Sequence, residues 1–116
     1  MSKNYTAITD DLIKQMKQLG GQVPSVMTAF QALAKEASKD GVLDKKTKEF
    51  VALAIGVATH CDGCVGFHAK TLAKLDASRD EVSEILGMSI YMGGGPSLMF
   101  AAEALAAFDE FKANLN

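Results

Sequence analysis

The chain has two cysteines, and they stand three residues apart in the segment EFVALAIGVATHCDGCVGFH, as Cys61 and Cys64. His68 follows the second cysteine by four residues, and Glu49 precedes the first by twelve. A helix carrying Cys64 and His68 places them on one face, one turn apart. Cys61, three residues before Cys64, comes within disulfide reach if it stands where that helix begins. A cysteine in a first turn feels unpaired backbone N–H groups and the positive end of the helix dipole. Both favour the thiolate, the nucleophilic form of the side chain. Gly63, between the sulfurs, lets the backbone bend there without a side chain in the way.

Glu49 joins this group only if the chain turns back. On one straight helix its twelve-residue separation from Cys61 amounts to about 18 Å. A reversal between Thr59 and Gly63 would instead run the next helix alongside the previous one and bring His68 level with the stretch after Glu49. The carboxylate would then orient the imidazole and favour its protonated form, leaving His68 to exchange a proton with Cys64. Each member also has a plainer role open to it. Free cysteines pack well in cores, a lone histidine on an apolar helix is often a satisfied core residue, and a helical glutamate is usually solvated. The four-residue spacing to a CxxC cysteine favours the functional reading for His68. His60, beside Cys61, reads equally as a relay member or as a polar helix end.

The elements that must position these residues are all helical. Ile8, Leu12, Ile13, Met16 and Leu19 recur at helical spacing and are expected to stop at Gly20-Gly21. Pro24 suits the first turn of a second helix, with Met27, Phe30, Leu33, Ala34 and Ala37 on its apolar face and an end near Gly41. Asp44 is a plausible N-cap for a third, in which Phe50, Leu53, Ala54 and Val57 form one stripe and Val51 and Ile55 a second. A fourth runs from the cysteines through Phe67, Thr71, Leu72 and Leu75. Ser78 and Glu81 form a capping box for a fifth, with Val82, Ile85, Leu86 and Ser89 inward. Gly93-Gly94-Gly95 stops it, and Pro96 opens a sixth through Leu98, Ala101, Ala102, Leu105 and Phe108. The expectation is an all-α fold, one compact domain over 1–116 with about six helices and the CxxC at a helix start. The triple glycine has no preceding strand and no following GKS or GKT, so it reads as a helix–helix turn and not a phosphate loop. Met88, Met92 and Met99 read as core filler.

Bulk properties narrow the function classes. The chain has 116 residues, 48% of them hydrophobic and 22% charged, a balance expected of a folded domain. With 12 basic and 14 acidic residues and no basic run, it lacks the footprint of a nucleic-acid binder. Its longest apolar run, Phe50 to Ala58, falls far short of the roughly 20 residues that cross a bilayer. No signal-like apolar stretch follows Lys3, so a cytoplasmic location is expected. A cytoplasmic CxxC is more often catalytic or metal-binding than structural, and as a staple so small a loop contributes only on the order of 2 kcal/mol. Several two-sided helices in so short a chain leave apolar surface for other subunits, so a homo-oligomer is expected.

Taken together, E-x11-C-x2-C-x3-H at Glu49, Cys61, Cys64 and His68 resembles the signature of the alkylhydroperoxidase D-like branch of the carboxymuconolactone decarboxylase superfamily. The flanks PSVMTAFQAL, LDKKTKEFVALAIGVA and EVSEILGMSIYMGGGPSLMFAAEAL fit as well, so the resemblance spans nearly the whole chain. It implies an all-helical domain assembling into trimers or hexamers, with the site at or near subunit contacts. It further implies a thiol-dependent peroxidase: Cys64 attacks the hydroperoxide and becomes a sulfenic acid, Cys61 resolves it to a disulfide, and Glu49 with His68 relays the proton. An external dithiol, lipoyl-bearing or thioredoxin-like, would reduce the disulfide, with no metal or organic cofactor required. One position departs from the family's best-known members, which carry a histidine just before the second cysteine, where this chain has Gly63. Disulfide exchange, which needs only the cysteines and a base, is therefore implied more directly than fast peroxide turnover.

Two other functions compete. His60, Cys61, Cys64 and His68 offer four potential ligands within nine residues, as in a non-catalytic metal-binding or redox-sensing module, although structural zinc sites usually draw two pairs from separated segments. A carboxymuconolactone-type decarboxylase is the other, and its chemistry needs no cysteine pair.

Overall fold

A computed structural model describes residues 3–115. Six helices follow one another: α1 (Tyr5–Gln22), α2 (Pro24–Ser38), α3 (Lys45–Ala58), α4 (Asp62–Lys74), α5 (Arg79–Gly93) and α6 (Gly95–Ala113), with no strand among the described residues. Their starts follow local chemistry. Asn4 caps α1 by accepting the Ala7 N–H, Asp44 caps α3 by accepting that of Thr47, and Ser78 with Glu81 completes a two-way capping box on α5. Such caps are typically worth about 1 kcal/mol each.

α4 sits at the centre, packed against α3, α6 and α1, while α5 closes the other side of α3 and α6. Its buried stripe of Val65, Ala69, Leu72 and Ala73 meets Leu53 and Val57 of α3, Val82 and Leu86 of α5, and Ala104, Ala107, Phe108 and Phe111 of α6 in one core. Removing a Leu, Val or Phe side chain of this kind from water stabilises by roughly 1.5–3 kcal/mol. Ser89 reaches across from α5 and donates to the Ala54 carbonyl of α3. α1 is fastened to α6 at its first turn, where Glu110 accepts the backbone N–H groups of Tyr5 and Thr6 and the Thr6 hydroxyl. Burial would raise the Glu110 carboxyl's pKa, but these donated hydrogen bonds outweigh it and hold it below its ordinary value.

Four expectations need correction. α1 does not stop at Gly20-Gly21 but continues to Gln22. Gly20 lies against the Met27 side chain of α2, and the break comes at Val23, whose backbone (φ -130°, ψ 61°) is set by the proline that follows. α2 likewise ends at Ser38, before Gly41. Met88, Met92 and Met99, read as core filler, are instead 54%, 75% and 67% exposed, and the apolar stripes of α1, α2 and α6 are only partly buried. α2 buries no residue in the protomer, touching only α1 and α3, and Phe30 and Leu33 are each 63% exposed. Ile13, Met16 and Leu19 of α1 are exposed too, and on α6 Leu98 and Ala102 face outward while Ser97, Ala104 and Ala107 turn in. The radius of gyration, 14.4 Å, exceeds the about 13 Å of a compact domain this long, as an α2 standing off the core requires.

Candidate redox site at the start of α4

The reversal that Glu49 needs is present. α3 ends at Ala58, and the chain turns through Thr59, His60 and Cys61 into α4. His60 takes a left-handed backbone (φ 55°), and the N–H groups of Thr59, His60 and Cys61 satisfy the carbonyls of Ile55, Val57 and Gly56. These bonds close the end of α3 while sending the chain back along it.

Cys61 is the N-cap residue of α4, and its sulfur accepts the Cys64 N–H at 3.2 Å. One of the orphan N–H donors of the helix's first turn is thus aimed at a sulfur, an arrangement that favours negative charge there. The two sulfurs are joined as a disulfide, with Cα atoms 5.3 Å apart. Cys64 occupies the first turn of α4 on the side facing α3. Gly56 lies directly opposite, and a Cβ at that position would fall 2.8 Å from the Cys64 Cβ. The glycine therefore sets how closely α3 and α4 approach at the sulfur.

One turn deeper, His68 Nδ1 lies 2.6 Å from Glu49 Oε2. Glu49 is buried, at 7% exposure, while the His68 side chain keeps a third of its surface open. A buried carboxylate on one ring nitrogen fixes the ring's orientation. All four residues read from the sequence are thus gathered along the α3–α4 seam. His60 is not among them: its ring stacks on Phe100 of α6, with centroids 5.0 Å apart and planes 18° from parallel. Among the described residues no group of three or more His, Cys, Asp or Glu side chains is placed to hold a metal ion.

Sequence reasoning missed what α1 contributes. Leu12 packs over Gly63, and a Cβ there would come within 2.9 Å of Leu12 Cδ1, so the place of a side chain before the second cysteine is taken by a residue of α1. Asp62, between the cysteines, has its Oδ1 held by the Tyr5 hydroxyl at 3.0 Å and the Lys3 ammonium at 2.9 Å. Lys3 also meets Glu103 Oε2 at 2.6 Å and lies 4.7 Å from the centre of the Phe100 ring. Burial, then the Asp62 contact, pushes the Tyr5 hydroxyl well above its ordinary pKa, and the Asp62 and Glu103 contacts raise that of Lys3. An aspartate in a first helical turn is usually no more than a solvated partner of the dipole, and only the fold reveals these contacts.

Residues 24–107 match the model of the carboxymuconolactone decarboxylase family. An uncharacterized protein of Cupriavidus necator is 41% identical over 103 residues, 89% of this chain and 91% of its own. The crystal structure of an apo carboxymuconolactone decarboxylase family protein from Legionella pneumophila is 56% identical, with a TM-score of 0.91 over 93% of this chain and 96% of its own. A Thermotoga maritima protein of the same family shares the fold at 24% identity, with a TM-score of 0.77 over 89% of this chain and 91% of its own. Matched in sequence and fold over most of its length, the chain belongs to the carboxymuconolactone decarboxylase family, the superfamily that its Glu-Cys-Cys-His spacing resembles.

Proposed function

We propose that the protein is a thiol-dependent peroxidase and disulfide oxidoreductase that cycles Cys61 and Cys64 between dithiol and disulfide. The reading is supported above all by the Glu49–His68 contact, with His68 one helical turn from Cys64 of the joined cysteine pair. In the oxidative half, His68 takes the Cys64 proton and the thiolate attacks the terminal peroxide oxygen. The O–O bond breaks, Cys64 becomes a sulfenic acid, and the alkoxide leaves with the proton that His68 returns. The Cys61 sulfur then displaces the sulfenic oxygen as water, forming the disulfide. In the reductive half, an external dithiol, lipoyl-bearing or thioredoxin-like, attacks the disulfide, leaves as its own disulfide and restores both thiols.

The same reading places the protein in the cytoplasm as a homo-oligomer, a trimer or hexamer. No helix among the described residues is long and apolar enough to cross a membrane. The exposed Val26, Phe30 and Leu33 of α2, and the exposed Val51, Ile55, Met88 and Met92 of α3 and α5, supply apolar surface for contacts between copies.

The test is a thiol titration of pre-reduced protein before and after an organic hydroperoxide, repeated on Cys64→Ser and Cys61→Ser. Two thiols per chain should be lost as an intramolecular disulfide, and Cys64→Ser should abolish turnover with hydroperoxide plus dithiol. Retained turnover in Cys64→Ser would refute the assignment.

A further inference from the structure

The four-residue loop closed by the disulfide contains one charged side chain, that of Asp62. Left to itself, a carboxylate at the first position of α4 would interact with the same helix N-terminus that favours a cysteine thiolate, and its charge would oppose that thiolate. It does neither freely. Asp62 Oδ1 is turned to α1, where Tyr5 and Lys3 donate to it, and the Cys64 N–H goes to the Cys61 sulfur. Tyr5 is a core residue, 2% exposed, so its hydroxyl is fixed by packing and not chosen by solvent. Lys3 is held in turn by Glu103 and the face of Phe100.

We propose that the start of α1 and the residue leading into it tune the cysteine pair: Lys3 offsets the charge of Asp62 and Tyr5 holds it in place by a hydrogen bond, and together they set how readily the pair yields a thiolate and accepts electrons. This rests on the reading that the pair cycles. Tyr5, Lys3 and Asp62 are positioning residues, acting on the sulfurs through charge and not by contact with a substrate. The other charged or titratable groups around the loop are Glu103 from α6, His60 in the turn, and the Glu49–His68 pair across the α3–α4 seam.

The sign follows directly. Weakening the grip on Asp62 leaves its negative charge uncompensated, so a neighbouring thiolate is less stable and the thiol pKa rises. Reduction by a dithiol breaks the S–S bond, transfers two electrons and two protons to the sulfurs, and oxidises the dithiol to its own disulfide. A less stable thiolate shifts that equilibrium toward the protein disulfide. Tyr5→Phe, which keeps the buried ring, and Lys3→Gln, which alters an exposed side chain, should each raise the thiol pKa. Each should also lower the equilibrium constant for reduction about three- to tenfold. Asp62→Asn should move both quantities the opposite way.

The experiment combines the ultraviolet titration of the thiolate in reduced protein with equilibration against dithiothreitol, both on the full chain. In the Asp62→Asn background, Tyr5→Phe should produce no further shift. Wild-type values in Tyr5→Phe and Lys3→Gln, or a Tyr5→Phe shift that persists without Asp62, would overturn the proposal. A wild-type protein that releases no thiols to dithiothreitol would overturn the redox reading and this inference together. A pair that titrates normally while the variants stay unmoved would sink the tuning alone.

Discussion

Replacing Glu49 with glutamine keeps the shape and an acceptor oxygen for the His68 N–H but removes the charge. In the native site the pair is 2.6 Å apart, with the carboxylate buried and the imidazole a third exposed. A hydrogen bond with one charged partner contributes about 1.5–3 kcal/mol, against about 1 for a neutral one. The substitution should therefore weaken the contact that holds the ring by about 1–2 kcal/mol. At about 1.4 kcal/mol per factor of ten, the proton-coupled attack on peroxide should slow roughly five- to thirtyfold. His68→Gln, which removes the acid–base group itself, should cost on the order of a hundredfold or more. The assay is single-turnover loss of thiols from pre-reduced protein mixed with an organic hydroperoxide, with thermal unfolding checked in parallel. Because Glu49 acts through His68, the double variant should be no slower than His68→Gln alone. A Glu49→Gln rate within about twofold of wild type, or additive losses in the double variant, would show that the carboxylate does not work through the ring.

Gly56→Ala introduces a Cβ that would lie 2.8 Å from the Cys64 Cβ, in a buried seam where neither backbone has a flexible end to move. Overpacking of this kind should cost roughly 1–3 kcal/mol in urea unfolding and slow the reaction of Cys64 with peroxide; an unaltered midpoint and rate would contradict the close-approach argument. Phe30→Asp should dissociate the assembly to monomers in sedimentation experiments while leaving the helical circular dichroism nearly intact, since α2 buries nothing within the protomer. A monomeric wild type, or an unchanged assembly in the variant, would remove α2 from the subunit contacts.

Local signals were the legible part of this protein. Asp44, Ser78 with Glu81, and Pro24 each act within a turn of their own helix, and each does what its residue type predicts. The site was legible because Cys61, Cys64 and His68 lie on one short stretch, and Glu49 needed only one inferred reversal, which the left-handed His60 provides. What could not be read is whatever arrives from far along the chain. Tyr5 lies 57 residues from Asp62, and Glu103 lies 98 from Tyr5, so no spacing rule connects them. Asp62 in the sequence is simply an acidic residue at a helix start, and Gly63 simply an open position. The structure makes the first a shared acceptor and fills the space beside the second with Leu12.

What the apolar stripes of α1 and α2 pack against was not legible for a different reason. Periodicity identifies an apolar stripe but not the surface that stripe serves. α6 shows the same limit from the other side: its buried face mixes Ser97, Ala101, Ala104 and Ala107 with Phe108 and Phe111, while the large apolar Leu98 and Met99 stay exposed. An isolated helix of the 15 residues of α2 is marginal in water, and ordering each residue costs about 1–2 kcal/mol of backbone entropy. Within the protomer little burial offsets that cost, since of the apolar side chains of α2 only Met27 is partly covered. A stripe of Val26, Phe30 and Leu33 on such a helix makes physical sense if its burial happens against another copy. On that view the same apolar pattern that reads as core in one chain is the recognition surface between chains, and the redox seam and the contact surface use opposite sides of α3.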